Sequence, residues 1–224
     1  MCVAYTIEEG GSIARKAGAL MAAGSDIAPI TARWKIRPTE MVPVAYEKER
    51  CQLGPMRWGW RGSWGGSGRL STVLTCARAE TIHQKPAFRE AARCRRGLMF
   101  ATGFFELRDR RRPYFFYLQT REPFWMAALW EPAKGDSPPC CVLVTTRPNE
   151  LVGPIHPRMP VLLDDAAARE WLGCRPLPAD SLRELCKPFP AGGMAGHPVD
   201  PRLLTANFDG PACLAPWAPL AELF

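Results

Sequence analysis

The centre of the chain carries a series of short apolar segments, and this pattern constrains the fold more than any other feature. Four of these segments are Leu98–Glu106, Tyr114–Gln119, Phe124–Trp130 and Cys141–Thr146, and the first three are rich in aromatic residues. Asp, Pro and Gly residues separate them, as is typical of strands that end in turns. We therefore predict that the four segments are strands of one sheet.

The remaining segments predict short elements around this sheet. Further strands are expected at Val3–Ile7, Met41–Tyr46, Leu70–Thr75 and Pro160–Leu163. Helices are expected at Ser12–Ala23, Thr81–Arg95, Asn149–Ile155, Asp164–Leu172 and Ala179–Lys187. The segment Arg57–Gly68, which mixes tryptophan with glycine, is expected to be a loop or a strand end. The sequence thus predicts an α+β fold, a single domain over residues 1–224 with a mostly antiparallel, barrel-like β-sheet core flanked by short helices.

Charge and cysteine content narrow the function classes. A net charge of +7 and a pI near 9.1 favour a polyanionic partner, with nucleic acid first. The chain has no apolar run of the roughly 18–20 residues that a membrane helix needs, and no charged-then-apolar leader. The nine cysteines lack C-x-x-C spacing, which favours reduced thiols over a metal site. We expect a cytoplasmic protein, associated with the nucleoid when bound to DNA, without metal, cofactor or membrane partner.

Cys2 directly follows the initiator methionine, so removal of Met1 exposes an amino-terminal cysteine. Such a residue carries an α-amine, with a pKa of about 7.7–8.0, next to a thiol with a pKa of about 8.5. The amine and the thiol can both attack one aldehyde carbon, which closes a five-membered thiazolidine ring. The alternative is an inert, buried second residue, because cysteine is among the most buried residue types.

Four segments, in order along nearly the whole chain, resemble motifs of the SOS response-associated peptidase (SRAP) family. They are Met1-Cys2, Cys76-Ala77-Arg78-Ala79-Glu80-Thr81, Gly103-Phe104-Phe105-Glu106 and Ile155-His156-Pro157-Arg158-Met159-Pro160. The resemblance implies covalent capture of abasic sites in single-stranded DNA as a thiazolidine, together with self-removal of the initiator methionine. Weak strand cleavage by β-elimination is a further expectation from the imine intermediate.

The resemblance also assigns roles to individual residues. Cys2 matches the nucleophile, Glu106 the glutamate near the amine, and His156 the histidine that handles protons at the sugar. A histidine and a buried carboxyl are the groups suited to moving protons near neutral pH. Arg78 matches an arginine that holds DNA phosphate, and Cys76 stands where the family has Asn.

The chain departs from the family pattern at four positions. Val3 and Ala4 replace Gly-Arg, Cys76 replaces an asparagine, and Leu107 replaces a tryptophan. A thiol is a weaker hydrogen-bonding group than an amide. The changes at Val3, Ala4 and Cys76 put the orientation and affinity of the substrate in question, and Leu107 is expected to be a packing change. Cys2, Glu106 and His156 remain available for bond making.

Basic and aromatic residues indicate a single-stranded DNA groove. Arginines track phosphates in such grooves while an aromatic ring stacks on an unpaired base. The candidates are Arg57, Arg61, Arg78, Arg158, the sugar-facing Cys76 and, as the stacking residue, Trp64. At least one of Trp58 and Trp60 is expected in the core, and His83 and His197 are expected to be structural. The basic run Arg108 and Arg110–Arg112 is expected at a hairpin turn, where a charge run usually forms only a solvated face.

Two other functions fit the same residues. A thiol peptidase needs Cys2 and a neighbouring base but no DNA groove. A non-catalytic module that holds single-stranded DNA needs the basic, tryptophan-containing surface but no nucleophile. In each case we expect a monomer.

Overall fold

Residues 3–9, 16–18, 20, 30–60, 73–173 and 175–218 are described by the computed structural model of the protein. Thirteen strands lie in these ranges, and the first seven are β1 (Ala4–Ile7), β2 (Arg33–Ile36), β3 (Met41–Glu47), β4 (Cys51–Trp58), β5 (Cys76–Arg78), β6 (Arg96–Ala101) and β7 (Gly103–Arg108). The other six are β8 (Arg112–Leu118), β9 (Phe124–Glu131), β10 (Cys140–Thr146), β11 (Met159–Pro160), β12 (Leu162–Leu163) and β13 (Met194–Pro198). Three short α-helices lie entirely within the same ranges, namely α1 (Arg89–Cys94), α2 (Asp165–Leu172) and α3 (Ala179–Leu185).

The strands form two sheets. The smaller sheet has the order β13-β8-β7-β1-β2, and all its pairings are antiparallel. The larger sheet has the order β11-β10-β4-β3-β6-β9-β12. Because β10 also pairs with β9, the strands β4, β3, β6, β9 and β10 close into a ring of pairings. The predicted mostly antiparallel, barrel-like core with short flanking helices is therefore confirmed.

The prediction of one sheet is wrong, because the segment Leu98–Glu106 divides between the two sheets. Thr102 marks the division, with its backbone N–H and hydroxyl donating to the Thr6 carbonyl at 2.9 and 3.2 Å. Both resulting strands, β6 and the first part of β7, are buried on both faces. A run buried on both faces shows no alternation that could reveal such a break.

Gly103 explains how β7 can pack closely at this division. A Cβ at this position would lie 2.2 Å from the ring of Phe115 and 2.9 Å from the carbonyl of Phe116. Only a residue without a side chain allows β8 to approach β7 this closely. The stacked ring pair Phe104–Phe116 then forms on the inner face of the sheet, with centroids 5.3 Å apart.

Three other elements differ from the prediction. In place of the expected helix Thr81–Arg95, the chain forms a 3-10 turn at Ala79–Thr81, then further turns, and then the short helix α1. Pro86 interrupts the expected helix, because proline has no N–H to donate within a helix. The expected helix Asn149–Ile155 is a series of turns. The expected strand Leu70–Thr75 is also wrong over its described residues, since the regular strand begins only at Cys76.

Two predicted helices are confirmed. The helix α2 begins after Asp164, whose carboxylate accepts a hydrogen bond from the N–H of Ala167 at 2.9 Å, as an N-cap residue does. The helix α3 covers most of the predicted segment. Residues 16–18 and 20 are helical, and the rest of the predicted helix Ser12–Ala23 lies outside the described residues.

Two hydrophobic clusters pack against the two faces of the small sheet. The main cluster fills the space between the two sheets, and it includes Tyr5, Trp58 and Phe104. A smaller cluster lies on the other face of the small sheet, around Phe105 and Phe115. No helix in the described ranges is long and apolar enough to cross a membrane.

Candidate active site

Glu106 lies on the inner face of β7, at the point where the strand leaves the core. Its residue is 0% exposed, and alternation along the strand places it on the same face as Phe104. β1 pairs with β7 on one side and β8 pairs with it on the other. The N–H of Val3, the residue that follows Cys2 in the sequence, donates to the carbonyl of Phe105 at 3.1 Å. The chain just after Cys2 is thus fixed beside the residue that precedes Glu106.

His156 reaches Glu106 from a turn held by Asn149. The Asn149 side chain accepts from the N–H of Val152 at 3.0 Å and donates to the carbonyl of Phe189 at 2.7 Å. The N–H of His156 in turn donates to the carbonyl of Val152 at 3.0 Å. This turn brings Nδ1 of His156 to 3.6 Å from Oε2 of Glu106, which is a contact longer than a hydrogen bond.

The backbone of Arg158 accommodates either neutral form of the imidazole. Nδ1 of His156 lies 2.9 Å from the carbonyl oxygen of Arg158 and 3.1 Å from its N–H. A proton on Nδ1 can be donated to the carbonyl, whereas a proton on Nε2 leaves Nδ1 free to accept from the N–H. The ring can therefore change its protonated nitrogen without moving.

Burial sets the protonation of this pair. It raises the pKa of Glu106 from 4.5 to about 8, since a desolvated carboxylate is unfavourable. Burial also lowers the pKa of His156 from its ordinary value. At neutral pH the pair is therefore mainly a neutral carboxylic acid beside a neutral imidazole, and not an ion pair.

An ion pair next to His156 fixes the segment that carries it. Nη1 and Nη2 of Arg158 donate to the two carboxylate oxygens of Glu80 at 2.7 and 2.9 Å, and Arg158 also donates to the carbonyl of Thr145. Burial opposes ionisation of Glu80, but the hydrogen bonds from Arg158 outweigh it and keep the pKa of Glu80 below its ordinary value. The bidentate geometry ties the His156 turn to the segment that follows β5.

Cys76 lies at the start of β5, which pairs in parallel with β10. The carbonyl of the preceding residue, Thr75, accepts from Nε1 of Trp58 at 2.8 Å and from the N–H of Leu143 at 3.0 Å. Burial raises the pKa of the Cys76 thiol to about 11. The residue is therefore a neutral thiol at physiological pH and a poor hydrogen-bonding substitute for an amide.

The other predicted site residues have mixed positions. Arg78 is exposed at the end of β5, opposite Thr145 and close to the Arg158 side chain. Arg57 pairs with Cys140 at the opposite end of β10, about 16 Å away along the strand. Cys2, Arg61 and Trp64 lie outside the described residues. Of the predicted residues that the structure describes, Cys76, Arg78, Glu106, His156 and Arg158 thus lie in one region, and Arg57 lies apart from it.

The other histidines and two of the tryptophans lie in the core or at the surface. Trp58 and Trp60 are both buried in the main core, which confirms that at least one of them is a core residue. His197 has structural contacts, since its Nε2 lies 2.8 Å from the carbonyl oxygen of Leu214 and its ring packs against Phe115. His83 is exposed, and its ring contacts Gln84.

Sequence reasoning missed two neighbours of the site. Tyr114 lies directly opposite Glu106 in the β7–β8 pairing and is half-buried. Glu80 holds Arg158, as described above. The hairpin register, counted back from the basic turn, could have identified Tyr114, but no local pattern links Glu80 to Arg158. Among the residues that the structure describes, no group of three or more His, Cys, Asp or Glu side chains is arranged to hold a metal ion.

Two relatives of the chain share one functional name. The abasic site processing protein YoqW of Bacillus subtilis (strain 168) is 33% identical over 174 residues, which cover 74% of this chain and 78% of that protein. The abasic site processing protein HMCES of Rattus norvegicus is 28% identical over 199 residues, which cover 72% of this chain and 56% of that protein.

A crystal structure of a protein from Bacteroides thetaiotaomicron shares the fold, with a TM-score of 0.77 and 21% identity over 97% of this chain and 100% of that one. The family model described as "SOS response associated peptidase (SRAP)" matches residues 1–205. Because this match covers most of the 224 residues, the chain belongs to the SRAP family.

Proposed function

We propose that the protein captures abasic sites in single-stranded DNA by a covalent bond to Cys2, after it has removed its own Met1. The observation that carries the proposal is the buried Glu106 carboxyl, 3.6 Å from His156 and next to the strand residue that binds Val3. A desolvated acid beside a neutral imidazole is an arrangement suited to proton transfer near neutral pH. The names of the relatives support the same substrate class.

The first half of the reaction forms an imine. The free α-amine of Cys2 attacks C1′ of the ring-opened sugar aldehyde and gives a carbinolamine. Glu106 donates its proton to the hydroxyl group, which leaves as water, and the resulting iminium nitrogen returns a proton to the carboxylate to give the imine. When the sugar ring opens, His156 accepts the proton of the C1′ hydroxyl on one ring nitrogen and gives a proton to the ring oxygen O4′ from the other, since its ring accommodates either tautomer.

The second half makes the adduct stable. The thiol of Cys2 adds to the imine carbon, a carbon–sulfur bond forms, and the thiol proton passes to nitrogen. The net reaction joins one aldehyde to one aminothiol and releases one water. From the imine, removal of a C2′ proton and departure of the 3′ phosphate would also cleave the strand, so we expect a weak lyase activity.

The polar residues around the pair have supporting roles in this proposal. Arg78, exposed beside the Thr145 end of β10, binds the phosphate next to the lesion. Arg158, held by Glu80, positions His156. Arg57, Arg61, Cys76 and Trp64 remain candidates for contacts with the strand. We further propose that residues 1–224 act as one monomeric domain, in the cytoplasm and on nucleoid DNA.

The test is adduct formation with a single-stranded oligonucleotide that carries one abasic site. The wild-type protein should give a product that survives denaturation, and the Cys2→Ala variant should give none. Both variants at position 2, Cys2→Ala and Cys2→Ser, keep the α-amine, so with each we expect an imine that is detected only after reduction with borohydride. The Cys94→Ala variant, which removes an exposed thiol from α1, is the control and should react like the wild type.

Each alternative has its own outcome in this assay. Cleavage of peptides without a DNA adduct would favour a thiol peptidase, and salt-sensitive binding without a covalent bond would favour a simple binding module. An adduct of Cys2→Ala that survives denaturation without prior reduction would contradict the proposal. Intact-protein mass spectrometry of the working protein shows in parallel whether Met1 has been removed.

A further inference from the structure

Two arginines face each other across the hairpin that carries Glu106. Arg108 on β7 pairs with Arg112 on β8, and like charges directly opposite each other in a sheet are destabilising. Arg112 is partly neutralised by Asp109, with its Nη2 2.6 Å from Oδ2. Arg108 makes no ion pair with any residue that the structure describes, and its side chain is exposed. The free protein therefore contains a like-charge pair that an anion would relieve.

The pair lies on the same face of the sheet as Glu106. Phe104 of β7 and Phe116 of β8 both pack into the main core between the sheets, whereas Phe105 and Phe115 pack on the other face. Because successive side chains alternate, Glu106 and Arg108 follow Phe104 on the inner face. Arg108 is then about 7 Å beyond Glu106 along the strand.

The turn adds more positive charge to the same place. Asp109 and Arg110 have φ values of 51° and 59°, and the N–H of Arg111 donates to the carbonyl of Arg108 at 3.2 Å, which closes a tight hairpin. Arg110 and Arg111 are exposed. A compact turn with four arginines and one aspartate produces a local positive field that attracts a polyanion.

We propose that Arg108 and Arg112 form a phosphate clamp, which holds the DNA backbone one step from the sugar that Glu106 serves. The clamp rests on the proposed function for its substrate, and it adds a binding site that the family motifs do not contain. The step from Glu106 to Arg108 is comparable to one nucleotide, so a phosphodiester can lie between the guanidinium groups while the abasic sugar lies at the carboxyl. Arg110 and Arg111 contribute to the field but do not contact the same phosphate.

The experiment measures non-covalent binding and covalent capture separately. Binding is measured with an oligonucleotide that carries a tetrahydrofuran abasic analogue, which has no aldehyde, over a range of NaCl concentrations. The Arg108→Gln/Arg112→Gln variant is compared with Lys48→Gln/Arg50→Gln, which removes two exposed cations from the turn between β3 and β4. Each phosphate contact contributes about 0.7 to the slope of log K against log salt for a single strand.

The clamp holds one phosphate, so the Arg108→Gln/Arg112→Gln variant should lower that slope by about 0.7 and weaken binding roughly tenfold. The control should leave both quantities near the wild-type values. The rate of capture at saturating abasic DNA should stay within about twofold of the wild type, because the reacting groups are intact. Arg108→Lys, which keeps a cation for the phosphate, should retain most of the slope.

Three results would overturn the clamp. The first is a salt slope of the Arg108→Gln/Arg112→Gln variant that equals the wild-type slope. The second is an equal fall of the slope in this variant and in the Lys48→Gln/Arg50→Gln control. The third is a large loss of the capture rate at saturating DNA, which would mean that the hairpin only shapes the Glu106 site. These results are separate from a failure of the proposed function. If the wild type forms no adduct, covalent capture is refuted, but the binding measurements still decide whether the clamp exists.

Discussion

The free energy of unfolding of the Glu106→Gln variant, relative to that of the wild type, should increase as the pH rises. Burial raises the pKa of this carboxyl from 4.5 to about 8, so the native state binds the proton more tightly than the unfolded chain does. Between these two values the unfolded chain has lost the proton while the native state retains it. Wild-type stability therefore falls as the pH rises through this window, and the effect levels off above a pH of about 8.

The magnitude follows from the size of the pKa difference. Each pKa unit corresponds to about 1.4 kcal/mol. The cost of keeping Glu106 is then about 1 kcal/mol at pH 5, about 3 kcal/mol at pH 7 and about 4 kcal/mol at pH 8. Glutamine does not titrate, and any cost of burying its amide is independent of pH. The variant should therefore gain about 3 kcal/mol on the wild type between pH 5 and pH 8.

The measurement is urea unfolding of both proteins at pH 5, 6, 7 and 8, followed by tryptophan fluorescence. Other titrating groups cancel, because they are common to both proteins. Glu150→Gln, which removes an exposed carboxyl from the turn before His156, controls for the loss of one charge. In parallel, Glu106→Gln should slow adduct formation more than it weakens DNA binding. A stability difference that does not change over this pH range would refute the raised pKa and, with it, the role of Glu106 as a proton donor.

Two further predictions concern Cys76 and Arg96. Cys76→Asn should quicken capture in a single-turnover adduct assay, because an amide can both donate and accept where the neutral thiol does neither well; an unchanged rate would remove position 76 from the mechanism. Arg96→Met should lower the free energy of unfolding by about 3 kcal/mol or more. The buried guanidinium of Arg96 donates to five backbone carbonyls, those of Trp171, Ala92, Arg93, Gly173 and Arg175. Urea unfolding tests this with Arg175→Met, at an exposed residue, as the control, and equal losses in the two variants would contradict the prediction.

Local pattern was sufficient for the elements whose two faces differ, or whose ends are marked. The helix α2 was predictable because Asp164 caps it, and the β7–β8 hairpin because a charged turn separates two aromatic strands. The division at Thr102 was not predictable, since the residues on both sides of it are buried on both faces. The parallel pairing of β5 with β10 joins segments far apart in the sequence, and no local signal specifies it.

The contacts within the candidate site could be predicted from local sequence pattern even less than the fold could. The family motifs pointed to Glu106 and His156 as candidates, but apolar patterning alone would have assigned Glu106 to the end of a core strand with no partner. The contact with His156 depends on the turn that Asn149 organises, and the position of Arg158 depends on Glu80. Each of these links is a tertiary contact between side chains and backbone groups that come from different elements. Such contacts leave no periodicity in the sequence, so only motif resemblance or a structure reveals them.

The position of Glu106 at the end of a doubly paired strand links the stability of the fold to the chemistry of the site. A carboxyl on a mobile surface loop would be hydrated, and its pKa would stay near the ordinary value. In β7 the carboxyl cannot move to solvent, because β1 and β8 hold the backbone on both sides and the aromatic pairs Phe104–Phe116 and Phe105–Phe115 fix the two faces. The packing of this hairpin therefore stabilises a protonated acid at neutral pH, at a cost of about 3 kcal/mol to the fold. A substitution such as Phe105→Ala should consequently loosen the strand, hydrate the carboxyl and lower the pKa of Glu106, even though its side chain lies on the opposite face of the sheet.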